Sequence, residues 1–207
     1  MYLLRIKVIF EDPGVFMSIP SKIIRLVSVL TLLASFLIAN IGSADSQKKI
    51  RKYPIPERKA LELNVPTPWK GKVHKPQEDM PPTIMFDPAK GNDFQVLITV
   101  MWSKTGDQDF NSQEKARTFI EKEGQKLLPN AAEPKIVLQE IKGVNNTGCY
   151  FSITDKAPNP GEYRYMTRGA IGVGDLLLSF TILHRVKDSQ SIRDALSVLR
   201  EAKQSPK

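Results

Sequence analysis

A thiol beside an imidazole suits nucleophilic chemistry, because the thiolate attacks and the histidine takes up its proton. This sequence has one thiol, Cys149, and two imidazoles, His74 and His184. His74 falls in a proline-rich stretch, so His184 is the residue to pair with Cys149. Both sit in alternating apolar segments, on rows read here as facing inward. Burial raises a thiol's pKa and makes it inert. The expectation is therefore a buried, apolar cysteine and a hydrogen-bonded core histidine. An exported enzyme using His184, with Cys149 or a nearby acid, stands as the alternative. A single cysteine closes no intramolecular disulfide and gives a metal site no second thiolate.

Other patterns reduce to structure. Gly169-x-x-Gly172-x-Gly174 resembles a phosphate loop on paper, but a strand follows it where a helix N-terminus is needed. It reads as a hairpin turn. Asp87, Asp93, Asp107 and Asp109 lack the spacing of a calcium loop. Asn145-Asn146-Thr147 matches a glycosylation acceptor, and a loop explains it equally well. No catalytic residue, metal ligand or cofactor is assigned. One surface set stands out: Arg164, Arg168 and Arg185 project from one predicted sheet face, with Ser179 and Thr181 between them. Arginine forks fit carboxylates and phosphates. These three are the candidate contact for an acidic envelope protein or a small anionic ligand. The alternative is an ordinary solvated face, or one covered by a helix.

These residues are placed by a simple order of elements. Leu61 to Val65 alternates and reads as a first strand. Residues 70–82, with Pro76, Pro81 and Pro82, read as a loop. Thr83 to Phe86 is a short strand. Phe94 to Trp102 is the clearest strand of the first half, apolar on both faces. Asn111 to Leu128 is a helix whose apolar face carries Ala116, Phe119, Ile120 and Gly124. Asn111 is its expected cap, with Glu114 completing a capping box. Gly124 on that face points to close packing against a sheet. A hairpin follows, from Lys135 to Lys142 and from Gly148 to Thr154.

Two long strands then span about 162–171 and 176–186. With Val173-Gly174 as the loop, residue 170 pairs with 177 and Tyr163 with His184. Tyr163, Tyr165, Ile171, Leu176, Leu178, Phe180 and Ile182 then share one face. A slip of one residue would exchange the faces. The last helix covers about 191–203, started by Ser191 and Asp194. The result is an α+β domain, a mainly antiparallel sheet flanked by helices.

The first 60 residues differ from this domain. From Met17, a basic start (Lys22, Arg25) leads into an apolar run from Leu26 to Ile41 and then Gly42-Ser43-Ala44. That is the layout of a cleaved secretory signal. Residues 1–16 read as an upstream extension, with Met17 as the true start. Lys48, Lys49, Arg51 and Lys52 follow the apolar run closely. Basic residues favour the cytoplasmic side, so an uncleaved anchor at 26–41, tethering the chain to a membrane, is the competing reading. Residues 45–60 are expected to be a flexible basic linker. Those four basic residues are the candidates for peripheral contact with anionic lipid. The domain, 61–207, holds 20 basic and 18 acidic residues. The charge excess thus lies ahead of the fold, which argues against nucleic acid as a partner.

The stretch Asp155-Lys156-Ala157-Pro158-Asn159-Pro160-Gly161-Glu162-Tyr163-Arg164-Tyr165-Met166-Thr167-Arg168-Gly169, continued by Val173-Gly174-Asp175-Leu176 and Phe180-Thr181-Ile182-Leu183, resembles exported bacterial proteins of the PsbP-like group. Pro68-Trp69 after a short strand is similar too. PsbP is an extrinsic lumenal subunit of the oxygen-evolving photosystem, and it shares its fold with the yeast Ran-GTPase release factor. The resemblance implies a PsbP-like domain over 61–207, an antiparallel sheet between helices. It also implies a periplasmic or secreted protein that works by binding or assembly and is not an enzyme. No site residue of the family is carried over to this chain.

Overall fold

Residues 47–74 and 80–205 are described by the structure, a computed structural model. The expected extension and export segment, 1–44, lie outside the described residues.

Strict alternation in Phe94–Trp102 makes the longest strand of the first half, β5. It buries Phe94, Val96, Ile98 and Val100 on one face, while the other face is only half-buried. The strands β3 (Lys70–His74) and β4 (Thr83–Asp87) precede it, and β6 (Gln139–Lys142), β7 (Thr147–Thr154), β8 (Tyr165–Val173) and β9 (Leu176–His184) follow. Together they form a seven-stranded sheet in the order β3-β4-β5-β9-β8-β7-β6, antiparallel throughout. A second antiparallel sheet joins β1 (Lys48–Tyr53), β2 (Leu61–Pro66) and β10 (Lys203–Gln204), with β2 in the middle.

Two helices complete the described fold: α1 (Gln113–Leu127) and α2 (Gln190–Arg200). The three-stranded sheet and α2 cover one face of the long sheet. Leu61, Leu63 and Val65 pack there with Phe86, Phe180, Ile182 and Leu199. Helix α1 covers β7 and β8 on the other face, where Ala116 and Ile120 meet Cys149, Phe151 and Ala170. This is the expected α+β layering.

Gly124 confirms the close packing read from its place on the apolar face. A Cβ there would stand 2.9 Å from Ile136 and 3.2 Å from Phe151. The cap of α1 falls one residue later than expected. Ser112, not Asn111, accepts from the Lys115 amide at 3.3 Å. Asn111 instead donates to the carbonyls of Gly174 and Leu176, tying the helix start to the β8–β9 turn.

That turn corrects the expected register. Val173 pairs with Leu176, so the two-residue loop is Gly174-Asp175 and not Val173-Gly174. Gly174 has φ +61°, the conformation a two-residue hairpin asks of its first central residue and one that glycine adopts without strain. A shift of two keeps every side chain on its expected face. It moves His184 from Tyr163 to Tyr165.

The flexible linker expected over 45–60 is also corrected, because 48–53 is strand β1, paired with β2 from Lys48↔Pro66 to Tyr53↔Leu61. Its charges find partners. Lys48 Nζ lies 2.7 Å from Glu201, and Lys52 Nζ 2.8 Å from Glu62. Arg51 donates to the Trp69 carbonyl and sits over the Phe86 ring. A basic edge strand deters pairing with other chains, and its polar composition hid the strand from the hydrophobic pattern. The same reason explains β3, an exposed edge strand where a loop was expected.

Candidate functional site

Cys149 and His184 stand on opposite faces of the long sheet. Cys149 pairs with Ala170, which pairs with Ser179 on the α1 side. His184 pairs with Tyr165, in the alternate row that faces α2. Side chains alternate strictly along a strand, so the sheet itself separates thiol from imidazole. The two inward-facing rows exist, but each faces a different core. Burial pushes the Cys149 thiol pKa up, which keeps it protonated. No Cys149–His184 nucleophilic pair forms.

His184 is 3% exposed and stacks on Tyr165, with ring centres 5.5 Å apart and planes 13° apart. Its Nδ1 lies 3.0 Å from the Val186 carbonyl, which can only accept, so Nδ1 carries the proton. Burial lowers the imidazole pKa, and the ring is neutral. The expected hydrogen-bonded core histidine is thus satisfied at Nδ1 and unsatisfied at Nε2.

The three arginines do not form an open face. Arg168 lies under α1, where it donates to Glu123 at 2.8 Å and to Thr181 at 3.0 Å. Lys126 and Arg168 together hold the Glu123 carboxyl below its usual range against the opposing effect of burial. Arg185 clasps the 161–163 turn. It donates to the carbonyls of Gly161, Glu162 and Asn92, and its guanidinium covers the Tyr163 ring. Arg164 alone of the three is exposed. Arg168 and Arg185 hold the fold together and leave little to offer a partner.

A cavity that was not legible in the sequence lies where β1, β3 and β5 end. It measures about 720 Å³. Its walls are Tyr53 to Pro56, Val73, Met80 to Pro82, Ile84, Met101, Trp102 and Phe110, with Lys104 among them. Four of these residues are prolines, which add apolar surface without a backbone N–H to satisfy. Val73 and Met80 are 45% and 60% exposed, large apolar side chains open to solvent. Burial raises the pKa of the Tyr53 phenol, so the hydroxyl stays protonated at this wall. The lining comes from five separate stretches of chain, and no local periodicity marks such a site.

A second cavity of about 540 Å³, of mixed lining and more polar than the first, lies beneath the first turn of α2 and includes His184 in its lining. The signal for it was present in the sequence. Thr167 and His184 are polar residues in rows that hold Ile171 and Val173 in β8 and Leu178, Phe180 and Ile182 in β9, all core.

No protein-family model matches the chain, and no curated protein does. Among solved structures, the chain is similar to a crystal structure from Bacteroides thetaiotaomicron, at 12% identity and a TM-score of 0.45 over 71% of this chain. The match spans 46% of that protein, less than half its length. The chain is also similar to the solution structure of cyanobacterial PsbP from Synechocystis, at 9% identity and a TM-score of 0.48, covering 80% of this chain and 98% of that one. Both are likenesses of fold. Among the described residues, no helix is long and apolar enough to cross a membrane.

Proposed function

We propose that the chain is an exported, non-enzymatic binding protein of the cell envelope that holds an apolar ligand or an apolar peptide segment in the cavity at the β1–β3–β5 end. The cavity carries the reading. Its volume lies within the few hundred to about 1,000 Å³ of small-molecule sites, and such sites are mainly apolar with a few polar groups. Val73 and Met80 would leave water on binding, each square ångström contributing about 25 cal/mol. The separation of Cys149 from His184 supports binding over turnover, and the secretory layout from Met17 to Ala44 supports export.

The test is a titration of the full chain with anilinonaphthalene sulfonate, whose fluorescence rises in apolar surroundings. The double variant Val73→Asp with Met80→Asp is expected to bind it at least about tenfold more weakly. Unchanged affinity in that variant would remove this cavity from consideration. Export has its own measurement, the mass of the chain recovered from the envelope fraction. A product beginning at Asp45 supports a cleaved signal, and an uncleaved chain that resists carbonate extraction would replace it with a membrane tether.

A further inference from the structure

β3 is an edge of the long sheet. It pairs with β4 on one side, and every residue from Lys70 to His74 is exposed. In an antiparallel pair, alternate residues turn both N–H and C=O away from the neighbour. Along β3 those outward groups meet no second strand, and among the described residues no backbone hydrogen bond outside the ladders reaches 70–74. An unpaired edge is a template for one more strand. This edge also adjoins the apolar cavity, because Val73 lines it.

Residues directly opposite in a ladder share a face. Whatever stands opposite Val73 therefore points the way Val73 and its partner Ile84 do, toward the cavity that both line. The residue opposite Gly71, two places along, points the same way. There it meets a cation. A Cβ at Gly71 would stand 2.8 Å from Arg51 Nη1 and 3.0 Å from the Phe86 ring, so the guanidinium lies over this gap in the strand. Nη2 of the same group donates to the Trp69 carbonyl, which holds it there. The other face of β3 carries Lys70 and Lys72, with Asp87 3.2 Å from Lys72. The described charges along the edge are thus mainly positive.

That charge chooses among strands. Lysine on an edge deters indiscriminate pairing. A second copy of β3 would set lysine near lysine, and like charges across a ladder destabilise it. A strand that brings a carboxylate is favoured instead. Every pair in the long sheet is antiparallel, the more stable arrangement per residue. An antiparallel strand passes Val73 first and Gly71 two residues later.

We propose that β3 takes up, as an added antiparallel strand, an extended segment of another protein with the order apolar-x-acidic, its apolar side chain entering the cavity and its carboxylate meeting Arg51. The proposal rests on the reading of the cavity as a binding site and narrows its ligand to a peptide.

The experiment is calorimetry on the full chain with a capped peptide about seven residues long, within the usual strand length. It is threonine throughout except for leucine at the third position and glutamate at the fifth. The expected Kd is on the order of 0.1 mM. Threonine in place of the leucine should weaken binding about tenfold, and glutamine in place of the glutamate about threefold to fivefold. Methylating alternate backbone nitrogens removes the donors on one side of the peptide. Done in each of the two phases, it should abolish binding in one and largely leave it in the other. All of these changes are in the peptide, so the protein's fold is untouched. The proposal is overturned by no saturable binding, by the same effect in both methylation phases, or by full affinity of the glutamine peptide. Binding that fails to displace anilinonaphthalene sulfonate would overturn it too, because the leucine would not occupy the cavity. The dye titration with Val73→Asp and Met80→Asp tests the cavity without any peptide, so that reading stands or falls on its own.

Discussion

The cavity at the β1–β3–β5 end and the cavity beneath α2 differ in which part of a strand builds them. The first is walled by strand ends and the prolines beside them. The second is floored largely by residues within strands β7 to β9, and the rows of Thr167 in β8 and His184 in β9 are elsewhere core. Strand ends are free of the sheet's alternation, so an apolar cavity can arise there without disturbing any ladder. A polar side chain inside a core row carries a standing desolvation cost, which Thr167 offsets with Ser152 and His184 offsets at one nitrogen only. The first cavity is therefore defined by the apolar chain ends around it, and the second by polar side chains set into the sheet beneath it.

Variants put this contrast to the test. The largest effect is expected from Phe86→Ala. Phe86 is fully buried beneath Tyr53 and Trp69, beside the apolar cavity. Its loss should cost about 3–5 kcal/mol in urea denaturation. A cost under about 1 kcal/mol would mean that the three-stranded sheet does not brace that end.

Next comes Arg168→Met, which leaves Glu123 without its partner from the sheet and should cost on the order of 2 kcal/mol. Arg164→Met, at an exposed position, should stay within about 0.5 kcal/mol. Equal effects at the two would restore the single arginine face expected from the sequence. Acidification should act through the other cavity. Burial keeps the folded-state pKa of His184 below its unfolded value of about 6.5. As pH falls, the unfolded chain takes the proton first. Stability is thus full above about pH 6.5 and declines from there down to the folded-state pKa. The difference in urea midpoint between about pH 7.5 and about pH 5.5 should shrink in His184→Phe. An unchanged difference would assign the titration to other groups. The smallest stability effect belongs to Val73→Asp, within about 0.5 kcal/mol, although the same change should weaken dye binding strongly.

What was legible follows from burial. β5 and the helix α1 were read from their apolar periods, and the faces of β8 and β9 survived a register that was off by two. Period-two alternation fixes the face of a residue but not its partner, and only the turn glycine settles which residues meet. The edge strands β1 and β3 escaped because an edge favours charge over pattern: Lys48, Arg51 and Lys52 look like linker until Glu201, Trp69 and Glu62 are seen opposite them. The partners of the arginine set were hidden for the converse reason. Sequence shows that Arg168 and Arg185 leave the strands on one side, but not that Glu123 and a row of turn carbonyls already occupy them.

The middle position of β2 has a consequence in time. Its two neighbours are the first described strand and the last, and the hydrogen bond from Ser205 to Glu62 joins residues 143 positions apart. β5 likewise waits for β9. Nearly the whole domain must be present before either sheet can close, and sheets built on such distant pairings fold slowly, in roughly milliseconds to seconds. A partly emerged chain can pair β1 with β2 and β3 with β4 and β5, but it lacks the strands that complete either sheet until β9 and β10 arrive.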